Sequence, residues 1–221
     1  MKKIVLLIIS LINTAITAVF IGLNPNELLP SHYNANGVVD AYSSKWLLLL
    51  IPCILVLLAV FYLIYAKVKE KDEDYQAYQK YAERCIIGIF AFLFVVFWIM
   101  LAMVLKNLNN IGNIFLPLIC IVMGCMFVYI FNLMPKIKQN SILGIRTQAT
   151  LNSKEIWKKV HRFAAYLGVS CGLIIVALGL ISLFIPSVAG VLFFITLIII
   201  LISAIVPTIY SEVLYSKENK S

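Results

Sequence analysis

Residues 4–23 have the sequence IVLLIISLINTAITAVFIGL and contain no Asp, Glu, Lys, Arg or His. At a rise of ~1.5 Å per residue, a helix of about 20 residues crosses the ~30 Å hydrocarbon core of a bilayer. Five further runs of the same kind follow, at residues 46–66, 85–105, 114–134, 163–185 and 188–210. The sequence therefore predicts an all-α membrane protein, a bundle of six transmembrane helices.

The composition supports this class and limits the function. The 221 residues are 62% hydrophobic and 13% charged, whereas a soluble domain is about 25% charged. None of the six runs contains Asp, Glu, Lys, Arg or His, although proton pumps and ion-coupled carriers usually need such groups at membrane depth. We therefore expect recognition to lie in the segments between the runs, with no cofactor, no metal and no enzymatic activity.

The distribution of basic residues predicts the orientation. Sixteen of the 18 Lys and Arg residues lie near the two termini or in segments 67–84 and 135–162, and only Lys45 and Lys106 lie in the alternate loops. Because cytoplasmic loops are enriched in Lys and Arg, both termini should be cytoplasmic in a multi-pass protein of the cell membrane, with loop 24–45 outside. Topology thus explains the net charge of +8, so we expect no direct nucleic-acid partner.

We predict three parts along the chain. Residues 1–66 would form a two-helix membrane domain with an extracytoplasmic loop, residues 67–84 a charged connector ending in an interfacial tyrosine belt, and residues 85–221 a four-helix membrane domain. In the last part, Gly168 and Gly172 form a GxxxG motif that allows close helix approach. Packing within the bundle is favoured over homodimerisation, and the oligomeric state stays open.

The loop before the second run is more than a plain connector. Pro30 disfavours helix for the residue before it, and Asn36-Gly37 is a strong tight-turn signal. Asp40 and Lys45 flank this turn and could pair across it. One His and one carboxylate make an incomplete metal site, so we interpret the loop as a self-hydrogen-bonded cap with a binding role. Its candidate binding residues are Pro30, His32, Asn34, Gly37 and Asp40.

Segment 135–162 also carries an unusual pattern. Asn152 is placed to cap a helix with Glu155 at its N3 position, and Trp157 and His161 share one face of that helix. One interpretation is that Arg146, Trp157 and His161 converge on an anionic or peptide partner. The other is that Arg146 caps carbonyls or binds lipid phosphate while Trp157 anchors the helix at the interface. The candidate binding residues are Asn140, Gly144, Arg146, Thr147, Trp157 and His161.

Both loop patterns resemble those of known families. The pattern Pro30-x-His32-x-Asn34-x-x-Gly37-x-x-Asp40 is similar to that of a bacterial membrane domain of unknown function. The pattern from Asn140 through Gly144-Ile145-Arg146-Thr147 to Trp157 and His161-Arg162 resembles the SdpI family. Together they cover residues 15–65 and 115–190.

This resemblance implies a membrane immunity protein that protects a bacterium from a secreted, membrane-active toxin peptide. It also implies a possible sensor role, in which the protein captures a cytoplasmic transcriptional repressor at the membrane. Two other hypotheses stay open from the residues alone. A small exporter or channel would use the few polar residues Asn13, Thr14, Thr17 and Asn132, and a membrane enzyme would act on lipid or peptide.

Overall fold

The computed structural model describes residues 2–34, 37–106 and 108–218. It is 80% helical and contains six helices that are long and apolar enough to cross a membrane. At most 33% of any of these spans is buried in the isolated chain, as expected where lipid replaces water around the helices. The predicted all-α, multi-span membrane fold is therefore confirmed.

The helices follow the apolar runs closely. They are α1 (Lys2–Leu23), α2 (Leu50–Val68), α3 (Glu73–Leu105), α4 (Gly112–Leu133), the short α5 (Gln148–Asn152), α6 (Lys154–Phe184) and α7 (Ala189–Glu218). Three 3-10 turns precede α2, follow α4 and precede α7, at Lys45–Leu49, Met134–Lys136 and Pro186–Val188. Prolines open the last of these turns and occupy the second position of Met134–Lys136, because proline lacks the N–H that the start of a helix leaves unpaired anyway.

The chain divides into two compact units. The first comprises Met1–Lys71 and Leu93–Phe115, and the second comprises Asp72–Phe92 and Leu116–Ser221. Helix α3 already begins at Glu73, so most of the segment expected to be a charged connector is helical. Tyr75 and Tyr78 are buried and in edge-to-face contact, with ring centroids 5.5 Å apart. The expectation of an interfacial tyrosine belt was therefore wrong at these two residues.

In the second unit, glycines bring α4 and α6 into close contact. A Cβ on Gly172 would lie 2.8 Å from the carbonyl oxygen of Gly124, and a Cβ on Gly168 would lie 2.0 Å from the ring of Phe131. Only helices without side chains at these points can approach so closely. The GxxxG motif is thus used within the chain, as the favoured interpretation predicted.

One helix start differs from the prediction. Ser153, not Asn152, is the N-cap of α6, and its hydroxyl accepts a hydrogen bond from the Ile156 N–H at 3.2 Å. Asn152 is instead the last residue of α5. Either side chain can cap a helix, and the choice depends on where α5 ends, which the local sequence does not reveal.

The loop before α2 contains a β-hairpin that the sequence did not predict as strands. Strand β1 (Leu28–Tyr33) pairs antiparallel with β2 (Val39–Ser44), in a register that sets Leu29 opposite Ser43 and Tyr33 opposite Val39. The register shifts around His32, which marks a bulge. We call residues 28–44 the hairpin.

Candidate functional site

The base of the hairpin is fixed by a buried lysine. The Lys45 ammonium donates to the Glu27 carboxylate and to the Asn24 carbonyl, each at 3.0 Å, while its side chain is only 6% exposed. Its backbone N–H also donates to the Glu27 carbonyl at 2.9 Å. A buried charge needs such partners because desolvation is costly. The predicted pairing of Lys45 with Asp40 was therefore wrong: Lys45 is held by Glu27 instead.

The turn of the hairpin is built as its sequence indicates. Gly37 has φ of +73°, which L side chains rarely adopt, and its N–H donates to the Asn34 carbonyl at 2.8 Å. The Asn34 side-chain oxygen accepts from the Val38 N–H at 3.1 Å. Asn36, the other half of the predicted turn signal, lies outside the described residues. Asn34 and Gly37 thus shape the turn.

The tip of the hairpin is docked on the connection between α3 and α4. The Ile111 N–H donates to the Gly37 carbonyl at 2.8 Å, and the Val39 N–H donates to the Asn109 carbonyl at 3.0 Å. The Tyr42 hydroxyl donates to the Asn109 side-chain oxygen at 3.4 Å. Sequence reasoning treated residues 107–113 as a simple turn and missed this role, although the Asn residues at 109, 110 and 113 were a signal of a hydrogen-bonding segment.

Tyrosine chemistry contributes to the same docking. Burial raises the pKa of Tyr33 above its ordinary value, and the neighbouring Tyr42 raises it further. The Tyr33 phenol therefore stays neutral at physiological pH and donates to the Leu108 carbonyl at 3.4 Å. The predicted self-bonded cap is thus bonded both to itself and to the α3–α4 connection.

One hydrogen-bonded polar pair is presented on the hairpin surface. The Nδ1 of His32 donates to the Asp40 carboxylate at 2.5 Å, and the two side chains are 67% and 43% exposed. Of the five predicted site residues in this loop, His32, Asn34 and Asp40 are exposed and Pro30 and Gly37 are buried, and the Asn34 side-chain oxygen is used in the turn. Across the described residues, no three His, Cys, Asp or Glu side chains come together as a metal site.

In the second unit, Asn140 organises the start of the basic segment, residues 135–162. Its side-chain oxygen accepts from the Ile142 and Leu143 N–H groups at 2.8 and 2.6 Å. Its amide nitrogen donates to the Lys138 and Leu143 carbonyls at 2.8 and 3.0 Å. Because Asn140 is 5% exposed, it stabilises the loop and offers no surface to a partner.

His161, in a single tautomer, holds the centre of the segment by two hydrogen bonds. Its Nε2 accepts from the Ile145 N–H at 3.1 Å, and its Nδ1 then carries the proton and donates to the Trp157 carbonyl at 2.9 Å. Gly144, with φ of +115°, passes so close that a Cβ there would lie 2.3 Å from Nε2. A glycine is therefore required at this position twice, for the backbone conformation and for the close approach to the ring.

Trp157 lies in the core, not at the surface. Its ring stacks on His161 with centroids 4.0 Å apart, its indole N–H donates to the Ile137 carbonyl at 2.8 Å, and it is 2% exposed. The expectation that Trp157 anchors the helix at the membrane interface was wrong, because this indole finds its partner inside the protein. Trp157 and His161 do come together as predicted, but both are buried.

Thr147 links the segment to α7. Its hydroxyl and that of Thr150 form a reciprocal capping box at the start of α5, and its oxygen lies 2.9 Å from the Ser211 hydroxyl on α7. The Thr150 hydroxyl also donates to the Ile145 carbonyl at 2.8 Å. These bonds brace the loop that carries Arg146.

Arg146 differs from its neighbours because it is exposed. Its Nη1 donates to the Ser141 carbonyl, so the interpretation of Arg146 as a carbonyl cap describes one of its contacts. The structure brings Trp157 and His161 together but directs Arg146 to a different carbonyl. In this conformation, therefore, Arg146, Trp157 and His161 do not converge on one partner site.

The polar residues that an exporter would use in the first unit do not line a polar path. Asn13 and Thr17 are 2% and 0% exposed, and the Asn13 side-chain oxygen accepts from the Trp98 indole N–H at 2.8 Å. The Thr14 hydroxyl donates to the Ser10 carbonyl of its own helix. In the first unit, Asn13 and Thr17 are therefore enclosed, and Thr14 is half-buried.

Comparison with known proteins fits this architecture. Residues 136–211 match the SdpI/YfhL protein family, and residues 8–56 match a domain of unknown function (DUF1648). The first range contains the basic segment and the second contains the hairpin. No solved structure matches the chain.

The class of protein follows from these findings, and so does a similarity to one family. The chain is a multi-pass α-helical membrane protein, and the predicted resemblance to the SdpI family is confirmed. It is similar to "Immunity protein SdpI" of Bacillus subtilis (strain 168), with 31% identity over 90 residues. That match spans 41% of this chain and 41% of the length of the relative.

Proposed function

We propose that this protein is a membrane immunity protein that protects a bacterium against a secreted, membrane-active toxin peptide by a non-enzymatic mechanism. The observation that carries the proposal is the similarity to a protein named as an immunity protein. The uncharged spans agree with it, since resistance needs no ion path through the membrane. In this proposal the toxin meets the hairpin.

The hairpin suits such a role because it combines rigidity with an exposed polar pair. Its base is held by the Lys45–Glu27 ion pair and its tip by bonds to Asn109 and Ile111. Backbone fixed in this way loses little entropy when a partner binds. His32 and Asp40 then offer one donor–acceptor pair to peptide groups.

Survival of a sensitive host tests the proposal. Expression of the full chain in a sensitive Gram-positive strain should raise survival against the sporulation-delaying (Sdp) toxin while the peptide persists in the medium. An unrelated six-span membrane protein, expressed at equal abundance, is the control. If the peptide disappears at a rate that depends on this chain, an enzyme is the better assignment. Unchanged survival at normal abundance contradicts immunity to this toxin.

The orientation belongs to the same proposal. We place both termini and the basic segment in the cytoplasm and the hairpin outside the cell membrane, on the charge asymmetry of the loops. Single cysteines at Ser44 and Lys138, both exposed, are introduced into a cysteine-free background and treated with an impermeant thiol reagent on intact cells. We expect labelling at position 44 and protection at position 138. Labelling of both from outside contradicts this orientation.

We extend the proposal to a sensor role through the cytoplasmic face. The basic segment exposes the apolar residues Ile142 and Leu151, at 46% and 44%, between basic side chains. Such a mixed surface fits a transient protein partner, which in this proposal is a cytoplasmic transcriptional repressor. Toxin should move that repressor into the membrane fraction, and Ile142→Ser with Leu151→Ser should abolish the shift. A repressor that stays soluble in the wild-type strain contradicts this role.

A further inference from the structure

A cavity of about 370 Å³ lies in the second unit, between the end of α4, residues 144–147 and α7. This volume falls within the roughly 300–1,000 Å³ that small-molecule sites occupy. Phe131, Met134 and Ala204 give it apolar walls. Arg146 is the one ionisable side chain among the described residues that line it.

Arg146 is also the donor that an anion would meet in this cavity. A guanidinium carries five N–H donors, and one bond, to the Ser141 carbonyl, accounts for its contacts within the described ranges. The hydroxyls of Ser203 and Thr208 donate to the Ile200 and Ala204 carbonyls of their own helix, at 2.7 and 3.1 Å. The cavity therefore combines an anion-binding guanidinium with apolar walls.

Two residues that line the cavity, Ala204 and Thr208, lie on an exposed face of α7. Leu201, Ala204, Ile205 and Thr208 follow one another at helical spacing along one face, and all four are exposed. Leu201 and Ile205 are 61% and 53% exposed within an apolar candidate span, so this face would contact acyl chains in a bilayer. A molecule that enters here comes from the membrane.

We propose that this cavity binds one anionic phospholipid. Its phosphate accepts hydrogen bonds from the Arg146 guanidinium, and the upper part of an acyl chain lies against Phe131, Met134 and Ala204. Arginine suits this contact because its planar fork binds two phosphate oxygens at once. Seven Lys and Arg residues in segment 135–162 add a favourable field for an anionic headgroup. A free phosphate or an acidic peptide would use Arg146 but leave the apolar walls empty.

Native mass spectrometry of the full chain, titrated with phosphatidylglycerol, tests the proposal. Wild type should retain one lipid that resists activation, with affinity about tenfold above that for phosphatidylcholine. Loss of one charge-assisted hydrogen-bond donor in Arg146→Gln should weaken binding about tenfold. Ala204→Phe fills the cavity while it leaves Arg146 in place, and should weaken binding by a similar factor. Ile205→Phe, on the same helix face but outside the lining, is the matched control and should bind as wild type does.

Three results would overturn the proposal. The first is equal lipid retention by wild type and Ala204→Phe, which would place the lipid elsewhere. The second is inorganic phosphate that displaces the lipid and binds Ala204→Phe as well as wild type, which would assign Arg146 to a free anion. The third is an acidic peptide that binds in an Arg146-dependent manner while phosphatidylglycerol does not bind, which would assign the site to a protein partner. Circular dichroism and thermal midpoints of each variant establish that it is folded.

Discussion

The hairpin and the basic segment are both ordered segments between helices, but different groups make the bonds that hold them. In the hairpin many of the structural bonds are made by the backbone, and the polar side chains His32 and Asp40 stay exposed. In the basic segment the structural bonds run through buried side chains, with Trp157 and His161 stacked inside. Only Arg146 of the predicted functional residues is left well exposed there.

This difference teaches that two loops with family-like sequence patterns need not use their residues in the same way. Gly37 and Gly144 are required because the Gly112 backbone and the His161 ring lie against them. The polar pair of the hairpin is exposed, whereas Trp157, His161 and Asn140 of the basic segment are buried. Substitutions in the hairpin should therefore separate stability from recognition residue by residue. In the basic segment the two should change together, with Arg146 as the exception.

Gly37→Ala should have the largest effect on stability. A Cβ at this residue would lie 2.3 Å from the Gly112 Cα and N, and the φ of +73° is strained for alanine. Backbone cannot move aside as a side chain can, so the tip should undock at a cost of more than about 3 kcal/mol. Thermal unfolding in detergent and limited proteolysis of the hairpin measure this. Gly190→Ala, where a Cβ would meet nothing within 4 Å, is the control and should leave both unchanged.

Gly144→Ala should have the next largest effect, and a second substitution should partly rescue it. Its Cβ would meet the His161 ring, a side chain, so we expect a loss of about 2 kcal/mol in the free energy of unfolding. In the double variant with His161→Ala the clash is gone, and the two losses should be non-additive by at least about 1 kcal/mol. Strict additivity would show that the close contact between Gly144 and His161 does not determine the cost.

Several features could be predicted from the sequence because they depend on neighbours in the chain. The run 4–23 and helix α1, Lys2–Leu23, nearly coincide, since length and apolar composition alone make a span. The turn at Gly37 was also predicted from a local pattern. These signals need no knowledge of the rest of the fold.

The remaining features depend on contacts that are distant in sequence. Two carboxylates precede Lys45, Asp40 by five residues and Glu27 by 18, and the shorter separation suggested the wrong partner. The docking of the tip joins Val39 to Asn109, 70 residues away. A tryptophan near the end of a span has the same sequence context whether it lies at the membrane interface or in the protein core. Trp157 lies in the core because its indole N–H donates to the Ile137 carbonyl, 20 residues away.

Asp40→Asn should change stability little and protection strongly. An exposed ion pair contributes about 0–1 kcal/mol, so abundance and thermal midpoint should stay near those of wild type. Survival against toxin should fall, because the carboxylate is half of the pair that the hairpin displays. Ser43→Ala, which removes the 2.9 Å bond to the Ser31 hydroxyl on the same hairpin, is the matched control. Equal protection by the Asp40 variant and this control would remove the hairpin pair from the proposed toxin surface.

Arg146→Lys should have the smallest effect on stability and still abolish protection. The side chain is exposed, so the free energy of unfolding should change by less than about 0.5 kcal/mol. The guanidinium can donate to the Ser141 carbonyl and to an anion at once, whereas the single ammonium of lysine cannot reproduce that planar geometry. Arg146→Lys should therefore fail almost as badly as Arg146→Ala in the survival assay, at normal membrane abundance. Lys158→Arg, an exchange of one exposed cation for another on the same segment, should protect fully. If Arg146→Lys also protects fully, this residue supplies only one of the positive charges that orient the chain, and the contrast between the two segments loses its one exposed exception.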